Sequence, residues 1–152
     1  MSQEHHVTET LVPLSFEYKY RVGQALEQFL TALGNKKILG IRCPGCHRVI
    51  VPPRQICGPC NLEMKEYVEV GPEGTIENYT IAKVVIDEGR IEDIPKPYVV
   101  GQIKLDGADS LLTAKVVAEN LESVSIGKRV RAVFLDAPKG TVKDLDHFEL
   151  IG

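Results

Sequence analysis

The sequence predicts a mainly β protein: an N-terminal helix, then a cysteine-bearing ribbon, then a small closed barrel. Three observations carry that prediction. There is one apolar stripe of helical period, there are two C-x-x-C pairs with ten residues between them, and five strand patterns follow in roughly the last eighty residues with no helical pattern among them. The 152 residues suit one domain or two small modules sharing an interface. The expected division is residues 1–37 as arm and helix, 38–70 as ribbon and 71–152 as barrel.

The first ten residues are polar, and His5-His6 reads as part of an untethered tail rather than a metal site. Phe16, Tyr18 and Tyr20 alternate with Glu17, Lys19 and Arg21, a pattern of a short strand or extended arm. Its aromatic face suits either a local core or a partner contact. Val22, Ala25, Leu26, Phe29, Leu30 and Leu33 then form one apolar stripe of an amphipathic helix. Gly34-Asn35 is expected to supply its left-handed stop, and Lys36-Lys37 to favour the negative end of its dipole. So short a helix needs a partner surface, in this chain or in another subunit.

Cys43-Pro44-Gly45-Cys46 and Cys57-Gly58-Pro59-Cys60 use every cysteine of the chain. Each turn can present two sulfurs to one side of a metal, and the pair completes the four thiolate ligands that tetrahedral Zn²⁺ prefers. The expectation is a rubredoxin-like zinc ribbon with Cys43, Cys46, Cys57 and Cys60 as ligands. Gly45 and Gly58 would allow the tight turns that aim N–H groups at sulfur. The stretch from His47 to Ile56 is long enough for two short strands and their connection. Two rival chemistries fit less well. Cys43 to His47 matches the C-x-x-C-H of haem attachment, but that requires export, and it would leave Cys57 and Cys60 without a role. Cys57-Gly58-Pro59-Cys60 reads like a thioredoxin centre, but no helical pattern follows it.

Gly71-Pro72-Glu73-Gly74 marks a turn and a module boundary. Strands are expected over residues 75–87, 98–105, 111–118, 129–135 and 145–151. Pro95-Lys96-Pro97 breaks the chain before the second, and Asp106-Gly107 and Ile126-Gly127 supply turns. Five strands of this kind fit the OB-fold barrel.

Apolar residues are 43% and charged residues 26%, and the net charge of −3 gives no global attraction to nucleic acid or anionic membranes. No apolar run approaches the ~20 residues of a membrane span. Metal-type cysteine pairs without a signal segment point to a cytoplasmic protein.

Catalytic signatures are sparse. There is no serine elbow, Gly-rich phosphate loop or H-E-x-x-H. His147, among Asp144, Asp146 and Glu149, reads as a charge-paired surface histidine. With four thiolates on a metal, no nucleophile remains for thiolytic chemistry, so no catalytic residue is assigned. A single-stranded nucleic-acid site built from Tyr79, Tyr98, Lys83, Arg129 and Arg131 is the alternative the barrel itself offers, against the acidic balance and an aromatic fraction of only 6%.

The helix, Cys-Pro-x-Cys, Pro52-Pro53-Arg54, the second cysteine pair and the barrel together resemble the zinc-ribbon/OB-fold proteins of acyl-CoA metabolism. Segments 74–80, 97–100, 105–107 and 126–127 extend the likeness from about Val22 to the C-terminus. The departure is His47, where the ribbon knuckle often carries glycine. The resemblance implies a non-catalytic accessory subunit in a hetero-oligomer with a thiolase-like enzyme acting on β-keto acyl-CoA, among them the benzoylsuccinyl-CoA of anaerobic toluene degradation. An acyl-CoA hydratase is the alternative partner. It also implies a ribbon used for docking and a barrel near the CoA entrance. Cations in the ribbon and early barrel, Arg48, Arg54, Lys83, Arg90 and Lys96, are then candidates for the CoA phosphates.

Overall fold

The computed structural model describes residues 21–87 and 89–151. His5-His6 and the Phe16, Tyr18, Tyr20 pattern lie outside the described residues. The apolar stripe forms helix α1 (Gln24–Gly34), which buries Ala25, Phe29, Ala32 and Leu33. Its end differs from the expectation. Gly34 is the last helical residue, and the left-handed position falls on Lys36, at φ 57°. Lys36 N–H donates to the Leu33 carbonyl and Lys37 N–H to that of Ala32, the paired bonds of a Schellman stop. Gly34 permits a close approach instead. A Cβ there would lie 3.3 Å from the Gly140 backbone, where the helix end rests on the loop before the last strand. Lys37 reaches across to Glu69 at 2.8 Å rather than serving the helix dipole.

A three-stranded antiparallel sheet follows, ordered β2-β1-β3: β1 (Ile38–Arg42), β2 (Val49–Ile50) and β3 (Glu66–Val70). Between His47 and Ile56 there is one two-residue strand, not two. The chain turns away at Val51-Pro52, and β1 finds its longer partner in β3, beyond the second cysteine pair.

The remaining strands are β4 (Glu73–Asp87), β5 (Arg90–Leu105), β6 (Leu111–Val117), β7 (Arg129–Phe134) and β8 (Leu145–Leu150). They close as β4-β5-β6-β8-β7, with β6 and β8 parallel and β4 returning to β7 through Glu73–Arg131, Gly74–Val130 and Thr75–Arg129. This is the OB-fold order. Closure explains why Glu73-Gly74, expected in a turn, lies in a strand. Here β4 pairs on both sides, and a Cβ on Gly74 would meet the Lys104 carbonyl at 2.6 Å. Pro95-Lys96-Pro97 does not end a strand either. The ladder shifts register between Ala82 and Val84, so these residues sit in an irregularity, where a missing N–H is tolerated, and β5 continues to Arg90.

The barrel interior holds Ile76, Val99, Ile103, Leu112, Val116, Val130 and Phe148. The same core extends through Val70, Val49 and Ile38 to Phe29 and Leu33, so helix, sheet base and barrel share one apolar interior. Side chains of the β5–β6 turn lock the sheet on. Asp109 accepts from Val49 N–H at 2.9 Å, while Ser110 accepts from Val51 N–H at 2.7 Å and donates to the Val51 carbonyl at 2.9 Å. The loop before β8 is organised by Asp144, which is buried. Its carboxylate accepts from the N–H groups of Lys139, Gly140 and Thr141 and from the Thr141 hydroxyl.

Candidate metal centre and surrounding surfaces

Strand β1 delivers Cys43 to the first turn, and β2 carries the chain back. The second turn is closed by an isolated bridge between Ile56 and Glu63. The two turns repeat one backbone pattern: His47 N–H donates to the Cys43 carbonyl at 3.0 Å and Asn61 N–H to that of Cys57 at 2.8 Å. At the equivalent fourth positions His47 and Asn61 both adopt left-handed φ, 60° and 52°. Side chains pay a steric cost there, one that His and Asn bear better than most residues. Gly45 leaves room for Leu62, whose Cδ1 a Cβ there would meet at 2.8 Å and displace. Its N–H points at the Cys43 sulfur at 3.4 Å, and the Cys46 N–H does so at 3.5 Å.

The four Sγ atoms lie within 4.8 Å of one another, with Cys46 and Cys57 at 3.8 Å. With Zn–S bonds of about 2.3 Å, a tetrahedral site has S···S edges of roughly 3.8 Å. Cys43 and Cys57 are buried, and Cys46 and Cys60 are partly so. The four cysteines are positioned to bind a metal ion, and their electrostatics fit that purpose. The Arg48 N–H, with the Arg48 side chain contributing, pulls Cys46 down to about 6. Donation from the Cys46 N–H lowers Cys43. The Cys46 sulfur and burial then push Cys60 up to about 12. Cys57 also rises, because burial and its sulfur neighbours outweigh the Cys60 N–H bond that favours its thiolate. Negative charge gathered on one sulfur thus opposes charge on the others, and a central cation removes that conflict.

The structure divides the five candidate CoA cations into two groups. Arg48 and Arg54 are in the ribbon, and Arg48 faces the sulfurs, its charged form strengthened by Cys46. Lys83, Arg90 and Lys96 are exposed on β4 and β5, toward the far end of the barrel. The ribbon contacts the β5–β6 turn, so Tyr98 to Leu105, roughly 20–25 Å of strand, separates the groups. Lys96 borders a cavity of about 410 Å³ with Tyr98, Lys115, Val117 and Leu121. Lys115, which sequence reasoning missed, stands over the Tyr98 ring with its Nζ 5.4 Å from the centroid. Alternation along β6 turns Lys115 outward, but only the pairing of β5 with β6 brings it beside Tyr98.

Two of the five residues considered for nucleic acid are engaged elsewhere. Arg129 is held by Asp106 at 2.6 Å and Glu73 at 3.2 Å, and Arg131 by Glu73 at 2.6 Å. Their charge holds the Glu73 and Asp106 carboxyls below the usual range. His147 pairs with Asp146 at 2.7 Å, whereas Asp144 is turned inward and plays no part in that cluster. Among the described residues no helix is long and apolar enough to cross a membrane.

Comparison with known proteins agrees with this architecture. The family model for the C-terminal OB-fold domain of ChsH2 matches residues 67–135. A DUF35 domain-containing scaffold protein of Methanocaldococcus jannaschii is 31% identical over 100 residues, covering 64% of this chain and 67% of the relative. Its counterpart in Methanothermobacter thermautotrophicus is 32% identical over 98 residues, 64% of this chain and 71% of the relative. Two solved structures share the fold at a TM-score of 0.61. One is a protein of unknown function from the DUF35 family of Sulfolobus solfataricus, at 24% identity and 84% coverage of each chain. The other is the Ltp2-ChsH2(DUF35) aldolase, at 20% identity, covering 87% of this chain and 97% of that one. The cysteine ribbon, the OB-fold barrel and these relatives converge: the chain belongs to the family of DUF35 domain-containing scaffold proteins.

Proposed function

We propose that this chain is a non-catalytic scaffold subunit, built on a structural Zn²⁺ site, of a thiolase- or aldolase-type complex acting on a β-keto acyl-CoA. The observation that carries the reading is the cysteine cluster. All four thiols lie within 4.8 Å of one another, so a bound metal would take every cysteine nucleophile of the chain. The scaffold relatives, and the presence of a DUF35 chain in an aldolase, support a role beside an enzyme subunit. In this reading residues 1–37, 38–70 and 71–152 form the arm with helix, the ribbon and the barrel. Zn²⁺ fixes the ribbon, Arg48 offsets part of the charge of a four-thiolate site, and the barrel flanks the CoA path.

For CoA, the side of the barrel bearing Lys96, Lys115 and the cavity beside Tyr98 offers cations next to an apolar channel. Lys83 and Arg90 lie on the same two-stranded extension, while Arg54 belongs to the ribbon surface. Among β-keto acyl-CoA substrates, benzoylsuccinyl-CoA is the first to assay.

Purification from the native host, with mass spectrometry of the co-purifying chains, tests the partner. A thiolase-type subunit in stoichiometric amount is expected, and an isolated chain that turns over acyl-CoA by itself would refute the scaffold reading. Metal analysis should return one Zn²⁺ per chain. Calorimetric titration with CoA should show tighter binding to the complex than to either subunit, and equal affinity for the enzyme subunit alone would remove this chain from the CoA site.

A further inference from the structure

We propose that the β4–β5 extension over residues 83–94 is a docking arm, whose apolar face seats in an apolar groove rimmed by lysine and arginine on the enzyme subunit. The inference rests on the scaffold reading above and adds to it the surface through which scaffold and enzyme meet.

The pairing of the arm fixes its faces. Val84 lies opposite Asp93, Val85 opposite Glu92 and Ile86 opposite Ile91. Strand alternation puts Val84, Ile86 and Ile91 on one side with Asp93, and Val85 with Glu92 on the other. Ile86 is 74% exposed, Ile91 73% and Val84 51%, although Ile86 and Ile91 are direct cross-strand neighbours. Nothing among the described residues covers them. The pairing of β4 with β7 stops at Thr75, and that of β5 with β6 begins only at Val99. A lone two-stranded hairpin is marginal in water, and a contiguous exposed apolar patch is a mark of an interaction surface.

Charge selects the occupant. Residues 83–94 carry Asp87, Glu88, Glu92 and Asp93 against Lys83 and Arg90, four anions to two cations, with Asp93 on the apolar face itself and Glu92 on the other. A complementary groove is therefore apolar at its floor and basic at its rim. A second copy would oppose one net-negative arm to another. Pro95 and Pro97 interrupt the outer edge of β5 at the root of the arm, which makes a continuous added strand there unfavourable, and the exposed isoleucine face is the contact surface proposed.

The test uses the full chain co-expressed with the thiolase-type subunit recovered from the host. Ile86→Asp with Ile91→Asp should weaken the complex on the order of a hundredfold, while Val85→Asp on the other face changes it little. Zinc content and melting temperature should hold in all three proteins, since these side chains lie outside the core. A photo-cross-linking phenylalanine analogue placed at position 86 should join to the enzyme subunit, and one at position 92 should not. A wild-type complex whose affinity survives the double substitution overturns the docking arm alone. Cross-links from position 86 to a second copy of this chain assign the face to self-association and also overturn it. Absence of any wild-type complex overturns the scaffold reading itself.

Discussion

The two ends of the ribbon are held by different forces. At its base, Ile38, Val49, Val51 and Val70 join the barrel and helix in one large apolar core. At its tip, the buried cluster is only Ile41, Ile50 and Met64 with Cys43 and Cys57. Three aliphatic side chains cannot offset the conformational entropy of two long turns, two of whose residues also sit at left-handed φ. In the scaffold reading proposed above, a metal–thiolate cross-link would supply at the tip what the apolar core supplies at the base. The difference teaches where a metal would matter: at the tip, where apolar residues run out, and not at the base.

Removing the metal should break the comparison most visibly. Structural Zn²⁺ sites bind with about 10–16 kcal/mol, energy that is spent on folding the segment around them. Cys43→Ser, or a strong chelator, should abolish hydrogen-exchange protection over residues 43–64 and leave that of Ile76, Ile103, Val130 and Phe148 in place. Simultaneous loss of both would show that the two ends form one cooperative unit. The converse is Phe148→Ala, which empties the middle of the barrel and should cost about 3–5 kcal/mol. Denaturant melts should then show the barrel opening at lower urea, with zinc retained until the ribbon base gives way.

The loop under α1 supplies a third, pH-dependent contrast. Burial would raise the Asp144 carboxyl, but donors from Lys139, Thr141 and Gly140, with the Thr141 hydroxyl, outweigh it and hold the group below its ordinary value. Because the folded value is the lower one, this stabilisation is complete above a pH of about 4 and is lost as pH falls through the folded pKa. Asp144→Asn should lower the melting temperature at neutral pH by on the order of 5–10 °C. Its melting temperature should also change less than that of the wild type between pH 5 and pH 3, because that titrating group is gone. An unchanged acid limb would show that Asp144 does not anchor the helix end. The smallest effect is expected at His47→Gly, which relieves a left-handed side chain in the first turn. A gain of about 0.5–1 kcal/mol should appear as tighter zinc retention against a competing chelator, with barrel stability unmoved.

Much of this molecule was legible in the sequence, because its strongest signals are local. The stripe from Val22 to Leu33 marks a helix through a period that neighbouring turns enforce, and α1 forms there. Two C-x-x-C turns carry their own geometry, so the sulfur cluster follows once the turns meet. The errors fell where a distant strand decides a residue's state. Glu73-Gly74 has the composition of a turn and becomes a strand because β7 and β5 pair on either side of it. Pro95 and Pro97 look like a break, and a register shift absorbs them. Gly34 looked like a left-handed cap, yet its role is to let Gly140, more than a hundred residues away in sequence, approach closely. The sequence by itself determined the pairing of four cysteines in two turns, the helix, the number of barrel strands and the turns at Gly107 and Gly127, because spacing and alternation act over a few residues. Only the tertiary structure decided which cations are free and which are paired, that Lys115 meets Tyr98, that Asp144 is buried, and that Ile86 and Ile91 stand together in the open. Those outcomes depend on strand pairing across the barrel, which no local pattern encodes.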